Sequence, residues 1–183
     1  MVRRPAIPSD IQKTILTQLI ALFDGVATHY QLVRGETRKK RRVTTGGSSH
    51  QKDGNDVGES SHALASAPPI ISHTTVGINE VTKALETEIQ SKRQTVMIPG
   101  TAVNKTRALT GAVFICHADL DTPALVAHLP QLVALCNSTR SENHKIKVVQ
   151  LPAGAESSLA DALGYVRRVS VIALDVRLCR LLS

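Results

Sequence analysis

Aromatic side chains are almost missing from this chain. Of its 183 residues, two are Phe, two are Tyr and none is Trp, 2% in all. Single-strand binding on stacked aromatic platforms needs Phe, Tyr or Trp in number, so that mode is disfavoured. Long apolar runs are missing too. Nothing reaches the roughly 18 consecutive apolar residues of a membrane span, and Met1-Val2-Arg3-Arg4-Pro5 is not followed by the apolar stretch of a secretory signal. Cysteine is scarce: Cys116, Cys136 and Cys179 are odd in number and lack Cys-x-x-Cys spacing. Reduced core thiols in a nuclear or cytosolic protein are the expected state. Acidic residues are outnumbered, 15 against 22 basic ones, for a net charge of +7 and a pI of about 9.7. A basic excess attracts polyanions, nucleic acid first and acidic membrane surfaces second, although a merely soluble basic protein would share it.

What is present is apolar content of 42% in a chain long enough for one ordinary domain with extensions. Residues 9–33 read as a helix opened by a Ser9-x-x-Gln12 capping box, with Ile11, Ile15, Leu19, Leu22 and Val26 at helical spacing. Residues 36–67 hold the basic run Arg38-Lys39-Lys40-Arg41-Arg42 and then a tract rich in Gly, Ser, Asp, Asn and His. So little of it can be buried that disorder is expected, with the pentamer as a nuclear-import candidate rather than only a solvated charge run. Ile70–Val76 is a β-prone run, followed by a helix from Gly77 to about Gln90 and a loop over 91–110 with a short extended piece at Thr95–Ile98. Ala112–Cys116, Ile146–Leu151 and Val169–Leu174 read as strands. A helix opened by Thr122-Pro123 carries Leu125, Leu129, Leu132 and Cys136 on its apolar side and is distorted by Pro130. Another runs from Glu156 to Leu163 and ends at Gly164. Strand and helix alternate from Ile70 onward, which predicts an α/β domain with a mainly parallel or mixed sheet covered on both faces.

One stretch stands out for chemistry. In Gly77-Ile78-Asn79-Glu80-Val81-Thr82-Lys83, helical geometry places Asn79, Glu80 and Lys83 on one side and Ile78, Leu85 and Ile89 on the other. An amide, a carboxylate and an ammonium held together read the donor and acceptor edges of bases. A solvated helix face is the bland alternative, and the position at a helix start after a strand favours the functional one. Asp119 and Asp121 follow a strand, where α/β enzymes often place acid–base or metal-binding groups. The preferred reading is that they cap the next helix. The seven histidines lack zinc-type spacing, and no Gly-x-Ser-x-Gly elbow occurs. Tyr165-Val166-Arg167-Arg168-Val169, between the last helix and the last strand, suits phosphate contact and packing on an unstacked base, or simply an exposed basic loop.

Taken together, these segments resemble the kink-turn-binding superfamily of ribosomal proteins, small nucleolar ribonucleoprotein core proteins and a protein subunit of RNase P and RNase MRP. Three segments carry the likeness. Gly77–Lys83 is similar to the family's Gly-x-Asn-Glu-x-x-Lys helix. Val113–Asp119 running into Pro123–Leu132 resembles its strand, acidic turn and P-x-L-V-x-H-L-P helix. Leu159–Leu174 resembles its final helix, recognition loop and strand. The wording from Leu151 to Leu174 is most similar to the fungal RNase P/RNase MRP subunit.

The resemblance implies a three-layer α/β/α sandwich with a mixed central sheet. Together with the composition, it divides the chain into an N-terminal helix packing on the core (1–35), a disordered basic and polar insert (36–67) that compact ribosomal members lack, and an RNA-binding domain (68–183). It implies a non-catalytic subunit, without cofactor or metal, that binds a kink-turn-like RNA element through Gly77, Asn79, Glu80, Lys83, Tyr165, Val166, Arg167 and Arg168. Asn79, Glu80 and Lys83 would contact guanines of sheared G·A pairs, and Val166 would pack near a flipped-out nucleotide. Val76 stands where many members carry Lys or Arg. The implied partners are structured RNA and other RNase P/MRP proteins, with no membrane. The implied setting is the nucleus and nucleolus, and the implied processes are tRNA 5′ processing and pre-ribosomal RNA processing. A ribosomal or small nucleolar kink-turn protein is the alternative, and an α/β enzyme using Asp119 and Asp121 a third reading.

Overall fold

Two apolar runs make the middle of the sheet and set everything around it. The computed structural model describes residues 7–33, 67–97 and 110–176. Its strands are β1 (Thr74–Val76), β2 (Thr110–Ile115), β3 (Lys147–Gln150) and β4 (Val171–Asp175). Their order is β1-β4-β2-β3. β4 is antiparallel to both of its neighbours, and β2 and β3 are parallel, so the sheet is mixed. All of β2 and β4 is buried. That is what a strand covered on both faces requires, and it explains the apolar runs Ala112–Ile115 and Val171–Leu174.

Side-chain alternation then splits the core in two. Ala112, Phe114, Ile172 and Leu174 pack with Leu19, Phe23, Val26, Leu159 and Leu163. These come from α1 (Ser9–Leu22), α2 (residues 26–33), the turn between them and α5 (Ala155–Leu163). Val113, Ile115, Val171 and Ala173 pack on the other face with Val81, Leu85 and Ile89 of α3 (Ile78–Met97) and with Leu129, Val133 and Cys136 of α4 (Leu129–Asn137). The result is the three-layer α/β/α arrangement with a mixed sheet that the sequence led one to expect.

Several boundaries differ, each for a local reason. The helix expected over 9–33 is broken at Phe23–Gly25, where Gly25 takes a φ of 78°. The capping box does not form. Pro8 precedes the helix, no side chain caps it, and the Gln12 amide donates to the Ile7 carbonyl at 3.0 Å. The strand expected over 70–76 is only Thr74–Val76, because Pro69 opens a 3-10 turn that runs to His73. α3 continues to Met97, so 91–97 is helix rather than loop and extended chain. A Lys92–Glu88 ion pair of 3.1 Å on successive turns supports that extension. The helix expected from Thr122 divides into a 3-10 turn, Pro123–Val126, and α4. Pro130 lies in the first turn of α4, where a missing N–H does no harm, so it starts this helix instead of bending it. Leu125 is 55% exposed and is not on the buried side. α5 ends as expected at Gly164, with φ 69°. Residues 34–66 and 98–109, with the basic pentamer Arg38–Arg42, lie outside the described residues.

At the end of the sheet where β2 begins, a buried ion cluster ties the second layer together. The Arg140 and Glu88 side chains are 5% and 9% exposed and meet at 2.5 Å. The same guanidinium donates to the carbonyls of Thr110 (2.7 Å) and His144 (2.8 Å). The Lys92 ammonium donates to the Cys136 carbonyl at 3.1 Å. Arg140→Ala should therefore cost about 2–3 kcal/mol in a urea titration, because it leaves Lys92 as the partner of the buried Glu88 carboxylate and takes the donor from two carbonyls. An unchanged midpoint would show that the cluster is not coupled to folding.

Cys116 and Cys136 are free and buried. Burial, and then the nearby carboxylates of Asp119 and Glu156, push the Cys116 thiol up to about 12. Burial also raises Cys136, with Glu88 adding to the rise. Thiolate is the reactive form, so neither residue should be modified by a thiol reagent at pH 8 until denaturant is added. Mass mapping of the labelled sites checks this directly.

Candidate nucleic-acid interface

The strand directions decide what meets at one edge of the sheet. Val76 pairs with Ile172, Ile115 with Val171, and Gln150 with Ile115. The outgoing ends of β1, β2 and β3 therefore lie together, beside the incoming end of β4. Three backbone bonds fasten them: Gly77 N–H to Val171 O at 2.9 Å, Cys116 N–H to Ser170 O at 2.9 Å, and Leu151 N–H to Ile115 O at 3.0 Å. The motif that starts α3, the acidic turn after β2, the start of α5 and the loop 165–170 are gathered on this edge.

Gly77 takes a φ of 99°, a left-handed conformation open to glycine and costly for other residues. A Cβ there would meet nothing within 4 Å, so the backbone angle and not crowding asks for glycine. The turn aims α3 so that Val81, Leu85 and Ile89 enter the core. Asn79, Glu80 and Lys83 are consequently exposed, as their spacing predicts. Thr82 Oγ1 meets His128 Nε2 at 2.8 Å and holds this first turn against the chain entering α4.

The loop is clamped at both ends. Gly164 has a φ of 69°, and a Cβ on it would lie 2.9 Å from the Ala27 Cα, so α2 closes on α5 only because this residue is glycine. The rings of Tyr165 and Tyr30 are 5.8 Å apart. At the other end the Val169 N–H donates to the Glu156 carbonyl at 3.4 Å, the Cys116 thiol approaches the Val169 carbonyl at 3.6 Å, and the Ser170 hydroxyl donates to the buried Glu156 carboxylate. Between these clamps Arg167 and Arg168 are exposed and Val166 is 88% exposed. An amide, a carboxylate and an ammonium on one element thus stand along the same edge as two guanidinium groups and an uncovered isopropyl group on another.

Asp119 has a different duty from the expected one. Its Oδ1 accepts from Gly154 N–H at 2.7 Å and its Oδ2 from Glu156 N–H at 3.0 Å. It caps α5 across the sheet edge, not the helix that follows it in sequence. Both oxygens are held by backbone donors, so this carboxylate serves the frame of the site. Asp121 is exposed. Among the described residues no three His, Cys, Asp or Glu side chains gather as a metal site, and no helix is long and apolar enough to cross a membrane.

Two residues of the site escaped the sequence reading. Glu156 carries no signal in its spacing, because a Glu at a helix start ordinarily means an exposed group favouring the helix dipole. Tyr30 lies beyond the break at Gly25 and meets Tyr165 only through the fold.

Residues 58–178 match the RNase P subunit Pop3 family. The chain belongs to this family. The matched span includes both the Gly77–Lys83 turn and the 165–170 loop, and it leaves α1 and α2 outside. The similarity to the RNase P/MRP subunit, first seen in the sequence, thus holds for well over half of the chain. It is a protein subunit of a ribonucleoprotein enzyme. No curated protein matches the chain.

Two substitutions test how the edge is held. Gly77→Ala should cost about 1–2 kcal/mol from backbone conformation alone. Glu156→Ala removes the acceptor of the Ser170 hydroxyl and should cost about 1–3 kcal/mol, with faster amide exchange confined mainly to 165–170. Uniform exchange across the sheet would mean that Glu156 supports the whole fold and not this loop.

Proposed function

We propose that this RNase P subunit binds a kink-turn-like RNA element through the edge formed by α3 and the 165–170 loop, and that it folds or braces RNA whose own groups carry catalysis. The observation that carries the reading is the pairing of an exposed Asn79, Glu80 and Lys83 with an exposed Val166, Arg167 and Arg168 on one fastened edge. In this reading sheared G·A pairs present base edges that a regular A-form groove hides. The Asn79 amide offers both donor and acceptor, Glu80 accepts from amino and imino groups, and Lys83 donates to guanine acceptors. Arg167 and Arg168 neutralise phosphate, and Val166 covers the face of an extruded base.

Val76 supplies no charge before the motif glycine, so phosphate contact rests more heavily on the loop arginines. The expected setting is the nucleus and nucleolus, in tRNA 5′ maturation and pre-ribosomal RNA processing with other RNase P and RNase MRP proteins. Arg38–Arg42 is the candidate import signal.

Lys83→Ala should weaken kink-turn RNA binding by about 1–3 kcal/mol, the value of a base-edge contact, with little change in melting temperature. Replacing Arg167 and Arg168 by Gln should lower the salt slope of binding by about 0.7–0.9 for each lost phosphate contact. Val166→Asp should weaken binding to kinked RNA more than to plain duplex, since a regular helix offers that side chain no extruded base. Equal losses on the two RNAs would leave a basic surface without a shape reader.

A further inference from the structure

Arg167-Arg168-Val169-Ser170 spells a pattern that the RNA reading leaves unused. Two guanidinium groups stand three and two positions ahead of a hydroxyl. The chain has three Arg-Arg pairs, and another of them, in Arg41-Arg42-Val43-Thr44, leads to a hydroxyl in the same way. Kinases of the arginine-directed class recognise this charge pattern through acidic pockets ahead of the acceptor. We propose that Ser170 is a phosphorylation site for a kinase of this class, and that its phosphate releases the 165–170 loop and switches off the RNA edge. The consequence for RNA rests on the proposed RNA reading, and the modification itself does not.

The setting of Ser170 makes its hydroxyl a latch. It donates to the Glu156 carboxylate, in a residue only 5% exposed. The Asp119 carboxylate stands close by, on the Glu156 N–H at 3.0 Å. Ser170 is half-buried, whereas Arg167 and Arg168 are exposed and already presented. Residues 165–170 carry neither helix nor strand. Apart from the latch, the exit of this segment is held by one good backbone bond, Cys116 N–H to Ser170 O at 2.9 Å, and by two longer contacts on Val169 of 3.4 and 3.6 Å. A segment held so lightly opens locally while the sheet stays folded.

In the open form the kinase transfers the γ-phosphoryl group of Mg-ATP. The bond from the γ-phosphorus to its bridging oxygen breaks, a bond from Ser170 Oγ to phosphorus forms, the hydroxyl proton passes to the kinase's carboxylate base, and ADP leaves. The product carries a charge of about −1.5 to −2 and has no hydroxyl left to donate to Glu156. Repulsion from two carboxylates and the cost of burial keep it from returning. It pairs with Arg167 and Arg168 instead, which takes both from RNA phosphate. Kinase and RNA need the same guanidinium groups, so bound RNA shields Ser170 and phosphate at Ser170 excludes RNA.

The test treats the full chain with Mg-ATP and an arginine-directed kinase (the catalytic subunit of the cyclic-AMP-dependent enzyme) and maps phosphate by mass. A peptide of residues 163–174 is the reference substrate. The native chain should be modified at Ser170, more slowly than the peptide. Glu156→Gln, which weakens the latch, should raise the rate at Ser170 about tenfold. Should that variant not fold, the wild-type chain decides alone. In the modified chain amide exchange should quicken at 165–170 and stay unchanged in β2. Its affinity for kink-turn RNA should fall about tenfold or more, and the same RNA in excess should slow modification of the native chain. A peptide that is modified while Ser170 of the native chain is untouched until urea unfolds it overturns the site. Modification without quicker exchange in the loop overturns the release. Release of the loop with no change in RNA affinity overturns the role of this loop in RNA binding and leaves the site standing.

Discussion

Everything at the candidate interface hangs on the pairing of β1 with β4 and on the one bond that closes it, Gly77 N–H to Val171 O at 2.9 Å. β1 is only three residues long. It contributes little burial of its own, and its value is positional. Because it runs antiparallel to β4, its last residue delivers the chain to the start of α3 beside the point where the 165–170 loop enters the sheet. Two segments separated by more than eighty positions in sequence are thereby held in one register. Loss of that bond would free the helix start to pivot relative to the loop, and the two elements proposed to read RNA would no longer stand at a fixed distance.

The remaining polar groups of the edge are spent on rigidity. Asp119 holds Gly154 and Glu156, Glu156 holds Val169 and Ser170, and Cys116 contacts Val169. These groups form a chain from the end of β2 through the start of α5 to the exit of the loop. In the proposed RNA complex, a loop ordered before binding loses less entropy, so exposed groups such as Val166 and Arg167 would contribute more of their contact energy to affinity. The same arrangement gives Asp119 a structural duty: each of its oxygens accepts a backbone N–H, and its place at a strand end reflects capping across the edge.

The sequence made the sandwich legible because Ala112–Ile115 of β2 and Val171–Leu174 of β4 are unbroken apolar runs and α3 and α5 are apolar on one side only. The outward placement of Asn79, Glu80 and Lys83 followed from spacing alone, as did the stop at Gly164. What sequence did not disclose depended on contacts between distant segments. A glutamate in the first turn of a helix ordinarily faces water, so nothing marked Glu156 as buried. The break at Phe23–Gly25 was hidden because Leu22 and Val26 keep helical spacing through it. Ile70 and Ile71 are β-prone and lengthen β1 on sequence alone, yet Pro69 tightens them into a 3-10 turn. Pro130 reads as a distortion only if the turn Pro123–Val126 and α4 are one helix, and nothing in their spacing separates them.

Scarcity of aromatics then acquires a specific meaning. A chain that read single strands by stacking would spread its rings along a groove. Here both tyrosines occupy one cavity next to Glu80, and the exposed edge bears hydrogen-bonding groups, cations and one aliphatic side chain. Such a surface gains little from unstructured RNA, whose bases offer faces but no fixed arrangement of edges. In the proposed reading it gains most from RNA that has already prepared both, with opened base edges opposite α3 and an unpaired base near the loop. Discrimination by shape would then follow from the rigidity of the edge: an RNA that must be deformed to meet all of these groups at once loses in deformation what it gains in contacts, whereas a pre-kinked RNA meets them together.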